Sequence, residues 1–341
     1  MQPEAIAVIN RIDKTVEKLE YADGKGRTHL GASVLGSACL REVWYGFRWA
    51  HITKHRGRLL RLFKRGHREE PALTKYLLDA GYQVRLYDDE LWYHAESDSY
   101  IAAPHDDPPE EFFFNGLEPV SLDPVHVRRA ETQGVRLDQP LFSLHGGHYG
   151  GSRDGLVSGP DLPEGWGLLE FKTHGEKSFI QIAGKLDEWR AYQVDPATRP
   201  FTGKGLLTSK PTHYIQMQIY MYHFGLPWGL YVAVNKNTDD LYPEIIYAKP
   251  EMGAAYADRA RQLIEAREAP PRISNDPAWF VCRFCDFREI CHHSKPPAKS
   301  CRSCQFAKAD AEQGGWYCER WNSSPPADFI KVGCEAWEPI K

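Results

Sequence analysis

The spacing of apolar and polar positions divides the chain into helical and strand-rich stretches. The first forty-odd residues are predicted to be helical, and so are residues 54–80, where the pattern breaks near Gly81. Residues 82–152 are predicted to be rich in strands, with a surface loop at about 104–124 that is rich in Pro, Asp and Glu. The other predicted elements are a strand at 229–235 and helices at 176–194, 212–224 and 250–267.

Residues 153–173 are predicted to form a β-hairpin. Segment 159–165, Gly-Pro-Asp-Leu-Pro-Glu-Gly, has the composition of a turn between two strands. If the turn is symmetric about Leu162, Asp154 lies opposite Glu170, because their residue numbers add up to twice 162. Directly opposed residues on one face of a sheet have Cβ atoms about 5 Å apart. We therefore expect these two carboxylates to lie side by side.

The paired carboxylates and a nearby lysine form a candidate metal site. Side chains alternate along a strand, so Glu170 and Lys172 share one face while Leu169 and Phe171 point into the core. Hard oxygen ligands suit Mg²⁺ or Mn²⁺, which can polarise a phosphodiester and lower the pKa of a bound water. The lysine can position that water or stabilise the developing charge. The alternative is a surface hairpin whose glutamate and lysine form only an ion pair.

Two further segments favour the metal site. The first is Gly66-His67-Arg68-Glu69-Glu70, which lies within the predicted basic helix. In the second, Gln216, Tyr220 and His223 fall at i, i+4 and i+7, on one polar face of a predicted helix. The same helix has a separate apolar stripe, predicted to be core, made of Tyr214, Met217, Met221 and Phe224.

The order of these motifs, GHxxE, GxxDG, ExK and QxxxY, carries a family resemblance. It resembles the RecB-type branch of the PD-(D/E)XK nucleases, especially phage-type exonucleases and the CRISPR-associated relatives that hold an iron–sulfur cluster. The resemblance covers roughly residues 30 to 291. It implies an α/β fold with a restriction-endonuclease-like core, in which a mixed central sheet is flanked by helices.

The resemblance also implies roles for the motif residues, position by position. Asp154 and Glu170 would bind Mg²⁺ or Mn²⁺, and Lys172 would be the catalytic lysine. Glu70 and His67 would lie near the site and supply a further metal contact from the basic helix.

The QxxxY motif can be placed in two registers. Gln216 and Tyr220 match the motif, which in the family helps to orient the lysine and the DNA, but Gln218 and Tyr222 have the same spacing. The strict Pro-Asp dipeptide is absent, since Arg153 precedes the aspartate, and the branch tolerates this departure.

The basic stretch from Lys54 to Arg68 contains seven Lys or Arg residues and two histidines. The net charge of -4 does not by itself indicate a polyanionic partner, so the local charge decides. Because the stretch leads into the proposed site, it is expected to contact DNA phosphates; a solvated face is the alternative.

Seven of the eight cysteines follow residue 280. No signal peptide or membrane span is recognisable, so a cytoplasmic protein is expected, in which clustered cysteines indicate metal ligation. The resemblance implies a 4Fe-4S cluster, which four thiolates can hold, at Cys39, Cys282, Cys285 and Cys291. The alternative is zinc held by the last three of these cysteines plus His292 or His293, with Cys39 merely buried.

A second cysteine set lies in the tail. Residues 1–292 are expected to form the nuclease domain and residues 293–341 a small cysteine-rich module. So short a segment buries little core and needs a metal, for which zinc is the default and a second cluster the alternative. The expected ligands are Cys301, Cys304, Cys318 and Cys334.

The leading hypothesis is a metal-dependent DNA nuclease that acts as an exonuclease on DNA ends in recombination, replication or degradation. The tail would bind DNA or dock recombination or replication proteins; no membrane is expected as a partner. The alternatives are a CRISPR-adaptation nuclease that trims spacers and a non-catalytic DNA-binding protein. The last is disfavoured because Asp154, Glu170 and Lys172 are all intact.

Overall fold

The computed structural model describes residues 3–21, 27–105, 109, 117–120 and 124–340. The helices are α1 Pro3–Glu20, α2 Leu40–Phe47, α3 Gly57–Asp79, α4 Pro124–Thr132, α5 Glu176–Ala183, α6 Leu186–Val194, α7 Gly205–Ser209, α8 Pro211–Phe224, α9 Pro250–Glu265, α10 Phe280–Arg283, α11 Arg288–His293 and α12 Ala327–Val332. The strands are β1 Leu30–Gly31, β2 Gln83–Arg85, β3 Asp89–His94, β4 Ser99–Pro104, β5 Leu117–Pro119, β6 Leu141–Leu144, β7 Tyr149–Ser152, β8 Gly155–Ser158, β9 Gly167–His174, β10 Trp228–Asn235, β11 Leu241–Tyr247, β12 Ala307–Ala309 and β13 Trp316–Cys318.

A five-stranded mixed sheet with strand order β11-β10-β9-β8-β2 lies at the centre of the fold. Strands β9 and β10 are parallel, and the other neighbours are antiparallel. Helix α3 covers one face through Leu73, whereas α5 and α8 cover the other through Phe179 and Met217. Every residue of β10 is buried, as expected of a strand covered on both faces. The expected α/β architecture, a mixed sheet flanked by helices, is therefore confirmed.

The hairpin has the register that the sequence predicts. Gly155 pairs with Leu169 and Val157 with Gly167, so the turn is symmetric about residue 162. Leu169 and Phe171 are buried in the core cluster on the α3 face, as expected. Asp154 directly precedes β8, and its Oδ2 accepts a hydrogen bond of 3.0 Å from the backbone N–H of Phe171.

Two predicted helices are wrong in their extent. The N-terminal helix ends at Glu20, and β1 and a 3₁₀ turn at Ala32–Val34 occupy part of the expected helix. Strand β1 pairs in parallel with the distant β7, a contact that local spacing does not encode. The helix predicted at 176–194 is broken into α5 and α6 at Gly184, whose φ of +90° favours glycine.

Strands β3, β4 and β5 form a separate small sheet that packs on α4 around Leu91, Tyr100 and Ala130. The strand-rich prediction for residues 82–152 is confirmed, but it missed α4. Most of the loop predicted at about 104–124 lies outside the described residues, and its described part includes β5.

The tail carries the β12–β13 hairpin and α12 and packs directly on the rest of the fold. Ala307 and Trp316 belong to the same hydrophobic cluster as α2, α8 and α9. The expected boundary between residues 292 and 293 stays a prediction. Among the described helices, none combines the length and apolar character needed to cross a membrane.

Candidate active site

The hairpin places Asp154, Glu170 and Lys172 around one spot. The carboxylate of Glu170 is fully buried, and Lys172 Nζ donates hydrogen bonds to Glu170 Oε1 and to the carbonyl oxygen of Phe171. The ammonium group is thus held beside the two carboxylates by strand geometry and by its own partners.

Helix α8 holds the buried carboxylate of Glu170 through a hydrogen bond from Gln216. Gln216 Nε2 lies 3.0 Å from Glu170 Oε1 and 3.3 Å from the hydroxyl of Tyr220, so it bridges the two. Gln218 instead bonds the carbonyl oxygen of Tyr247 and the N–H of Lys249, at the far side of the helix. Of the two possible registers, the one with Gln216 and Tyr220 therefore faces the candidate site.

The glycines before Asp154 let the α8 tyrosine approach the sheet. A Cβ added at Gly151 would lie 2.7 Å from Cε1 of Tyr220, closer than real Cβ contacts. Any larger residue at position 151 would push Tyr220 away from Gln216.

Helix α3 brings Glu70 close to the same carboxylates. A Cβ at Gly66 would lie only 3.6 Å from Thr173 Oγ1, so the helix backbone passes close to β9. Burial and then the charge of Asp154 raise the pKa of Glu70. His67 Nδ1 lies 3.3 Å from Glu70 Oε1, and its side chain is 78% exposed. His67 is thus adjacent to Glu70 but at the rim.

The charges of the site do not balance. Burial, followed by Asp154, raises the pKa of Glu170 to about 7. Burial opposes the charge of Lys172, yet Glu170 and Asp154 outweigh it and raise the pKa of the lysine. With Glu70 there are three carboxylates against one ammonium group, and Glu170 Oε2 is buried without a hydrogen-bond partner.

A hard divalent cation fits this excess of oxygen donors and negative charge. As the side chains stand, however, no group of three or more His, Cys, Asp or Glu in the described parts of the chain is arranged to hold a metal ion. The fit therefore rests on the orphaned Glu170 Oε2 and on the donor chemistry.

A cleft of about 1700 Å³, open to solvent, leads to the site. Lys172, Gln216 and His213 line it where it meets the sheet. Glu42 is its one lining carboxylate among the residues that the structure describes, and Ser37 donates a hydrogen bond to it. Its other walls carry positive and aromatic side chains, namely Arg27, His29, Phe47, Phe63 and Phe287. These side chains suit the backbone and bases of a nucleic-acid strand.

Part of the basic helix is covered by α1. Arg61 forms an ion pair with Asp13, and Lys64 Nζ lies 3.1 Å from Glu20 Oε2. Glu17 accepts a hydrogen bond from the N–H of Gly57. Two of the basic side chains that were expected to contact phosphates, Arg61 and Lys64, are therefore paired with carboxylates of α1.

The four cysteines expected to hold the cluster line one small cavity. Cys39 precedes α2, and the other three lie on or beside α10 and α11. All four are free thiols, and burial raises the pKa of Cys285 to about 11. His292 lines the same cavity, so the zinc alternative stays open. The shared cavity brings the expected ligands together, but as the side chains stand no three of them are arranged around a metal ion.

The four tail cysteines are also neighbours. Burial raises the pKa of Cys301 to about 11, and the charges of the other three thiols add to the effect, in the order Cys334, Cys304 and Cys318. Within segment 301–304 the N–H of Cys304 donates to the carbonyl oxygen of Cys301, which closes a tight turn. The four thiols thus lie near one another, but as the side chains stand no three of them are arranged around a metal ion.

Two arginines are buried against this turn. Arg48 donates to the carbonyl oxygens of Arg302 and Cys304, and Arg302 donates to those of Thr28 and Phe47. Each side chain is 1% exposed, and burial lowers the pKa of Arg48 to about 10. The hydrogen bonds of both guanidinium groups go to backbone carbonyl oxygens. The sequence analysis missed both, because their partners are backbone atoms of a remote segment.

A histidine–tyrosine network beside Lys172 was also not predicted from the sequence. The hydroxyl of Tyr231 lies 2.8 Å from His174 Nε2 and 3.1 Å from His213 Nδ1. Alternation along β9 puts His174 on the face of Lys172, a signal that the sequence does contain.

No family model and no curated protein matches the sequence. Among solved structures, the crystal structure of SSO0001 is 12% identical over 83% of this chain and 96% of that one, with a TM-score of 0.38. The alkaline exonuclease LHK-Exo from Laribacter hongkongensis is 15% identical over 70% of this chain and 87% of its own, with a TM-score of 0.32. The structure of LHK-Exo in complex with dAMP is 16% identical over 68% of this chain and 88% of its own, with a TM-score of 0.26. All three TM-scores lie below 0.5.

Proposed function

We propose that this chain is a divalent-cation-dependent DNA nuclease. The observation that carries the proposal is the environment of Glu170, whose buried carboxylate meets Lys172 and Gln216 and keeps one oxygen without a hydrogen bond. Asp154 and Glu70 add negative charge at the same spot. The ion pair of Glu170 with Lys172 has no need of the two further carboxylates, whereas a cation site requires their negative charge.

The residues of the chain have distinct tasks in hydrolysis. Asp154, Glu170 and Glu70 would hold Mg²⁺ or Mn²⁺, with His67 at the rim. A bound cation would polarise the phosphodiester and lower the pKa of a water. Lys172 would orient that water or stabilise the charge on the phosphate oxygens. Gln216 fixes the orientation of Glu170, and Tyr220 fixes Gln216, through the hydrogen bonds already described.

DNA is the proposed substrate because the cleft beside Lys172 is lined by positive and aromatic side chains. The motif order, which resembles that of phage-type exonucleases, supports an exonuclease that serves recombination, replication or degradation of DNA. The proposal includes a 4Fe-4S cluster at the shared cavity of Cys39, Cys282, Cys285 and Cys291, and zinc at the four tail cysteines.

The proposal is tested with end-labelled linear DNA and with circular DNA of the same sequence. With Mg²⁺ or Mn²⁺, linear DNA should be shortened from its ends while covalently closed circles persist, and EDTA should stop the reaction. Cleavage of circles would replace the exonuclease by an endonuclease. DNA binding without cleavage in the presence of either Mg²⁺ or Mn²⁺ would favour the alternative of a non-catalytic DNA-binding protein.

A further inference from the structure

A chain of hydrogen bonds runs behind the proposed catalytic lysine. Ser178 Oγ lies 3.1 Å from His174 Nδ1, and the other nitrogen of His174 meets the hydroxyl of Tyr231. That hydroxyl also meets Nδ1 of His213, whose ring stacks on the ring of His174 at 5.7 Å between centroids. Three elements, β9, β10 and α8, therefore converge on one tyrosine oxygen.

This chain of hydrogen bonds ends at His213, at the edge of the cleft. His213 lines the cleft together with Lys172 and Gln216. Its Nδ1 is engaged by Tyr231, and its Nε2 makes no hydrogen bond within the part of the chain that the structure describes. Burial and then the charge of Lys172 hold the pKa of His213 at about 3, so the ring is neutral at physiological pH.

We propose that His213 is a further catalytic residue, which donates a hydrogen bond from Nε2 to the phosphate that Lys172 also contacts. The inference rests on the proposed nuclease function and deepens it. Tyr231 and His174 act as positioning residues through His213. A neutral donor complements the ammonium of Lys172, because it stabilises charge on a phosphate oxygen without repelling a nearby cation.

The network is compatible with the tautomer that this role requires. Tyr231 has one hydroxyl proton, and if it is donated to His213 Nδ1, the ring proton of His213 lies on Nε2. His174 Nε2–H then donates to the tyrosine oxygen, and Ser178 donates to His174 Nδ1. Every partner is satisfied in this arrangement, and a donor faces the cleft.

Helix α8 supplies a matched control ten residues later. His223 Nε2 lies 3.1 Å from the hydroxyl of Tyr149, so it is another half-buried histidine paired with a tyrosine. Burial lowers the pKa of His223 to about 4. Its ring stacks on Phe142 and it does not line the cleft, so its substitution tests the structural part of the effect alone.

The experiment compares His213→Asn, His213→Gln, Tyr231→Phe and His223→Asn in steady-state cleavage of labelled DNA. The amide oxygen of an asparagine can replace Nδ1 as the acceptor of the tyrosine O–H, but the side chain does not reach the cleft, whereas the amide nitrogen of a glutamine can donate in place of Nε2. His213→Asn should therefore lower kcat by about 10–100-fold with little change in KM, as for a hydrogen bond to a charged group. His213→Gln should recover most of kcat, Tyr231→Phe should lower it by less than His213→Asn, and His223→Asn should leave it unchanged.

Thermal unfolding of each variant separates folding from chemistry. Equal losses in both His213 variants, or a matching loss in His223→Asn, would show a structural role and overturn the inference. Wild-type kcat in His213→Asn would overturn it as well while leaving the nuclease function standing. A wild-type protein that cleaves no DNA with Mg²⁺ or Mn²⁺ would overturn both.

Discussion

The hairpin site and the tail junction bury unbalanced charge of opposite sign. At the hairpin, three carboxylates surround Lys172, and Glu170 Oε2 has no hydrogen-bond donor. At the tail junction, Arg48 and Arg302 are buried beside four cysteines, among backbone carbonyls and the ring of Trp316. Burying an unpaired charge costs several kcal/mol, so about that much must be recovered elsewhere in each region.

The sign of each imbalance indicates what would restore balance. Excess carboxylates call for a cation, as proposed for Mg²⁺ or Mn²⁺. Excess guanidinium groups call for an anion, and a divalent zinc bound by four thiolates carries two net negative charges. Since Cys304 raises the pKa of Arg48, its thiol lies within electrostatic reach of that guanidinium. The two regions therefore bury charge of opposite sign, and the proposed metals, a catalytic cation at the hairpin and a structural zinc in the tail, would balance them in opposite ways.

The largest expected effect breaks the hairpin side of this comparison. Lys172→Ala should lower the rate of cleavage by at least about 10²–10³-fold, because it removes a donor at the reacting phosphate. The fold should persist, since Glu170 with a pKa of about 7 can take a proton when its partner is removed. Cleavage rates and circular dichroism spectra of the two proteins measure this. A wild-type rate in the variant would contradict the catalytic assignment.

The next effect concerns the metal content of the tail. Cys318→Ser should lose one zinc per chain and lower the unfolding temperature, since metal binding to the folded state adds to its stability. Cys285→Ser is the control, because it should lose iron and sulfide while keeping the tail zinc. Elemental analysis after anaerobic purification distinguishes the two losses. Unchanged zinc in Cys318→Ser would exclude the four-thiolate site.

A smaller effect tests whether the buried arginines balance the tail site. Arg302→Met should cost more free energy of unfolding in zinc-loaded protein than after chelation, by about 0.5–3 kcal/mol, the usual range for coupled sites. Arg320→Met is a matched control, since Arg320 pairs with Glu338 at the surface and should cost the same in both states. Denaturant titrations with and without chelator give the four values. If Arg302→Met costs the same free energy of unfolding with zinc and after chelation, the buried arginines do not balance the charge of the tail site.

The hairpin side could be predicted from sequence because its information is local. The turn at 159–165 sets the register, and strand alternation then places Asp154, Glu170 and Lys172. The choice between Gln216 and Gln218 could not be made, because each begins a QxxxY spacing and both glutamines of α8 are buried.

The tail junction could not be predicted from local patterns. Arg48 and Arg302 meet across a separation of 254 residues, and they bond carbonyl groups that every residue possesses. His213 was missed for a similar reason, since its link to His174 passes through Tyr231 on a third element. The cysteine spacing indicated a metal but not the charges that surround it.

A third charged region, where α1 lies on α3, is balanced by surface carboxylates instead of a metal. Asp13 pairs with Arg61 and Glu20 with Lys64, on the helix that is expected to meet phosphates. The exposed fractions of these basic side chains are 40% and 52%, so the ion pairs are weak and DNA can compete for them.

Asp13→Asn combined with Glu20→Gln should therefore raise DNA affinity by a modest factor, about 2–10-fold, since each exposed ion pair is worth up to about 1 kcal/mol. The slope of log affinity against log salt should steepen, because every additional phosphate that the helix binds releases counterions. Asp79→Asn is the control: it frees Lys75 at the other end of α3 and should change neither quantity. Fluorescence anisotropy with labelled DNA over a range of salt concentrations measures both. If the double variant keeps the wild-type affinity and slope, α3 does not face DNA, and its positive charge is matched by α1 alone.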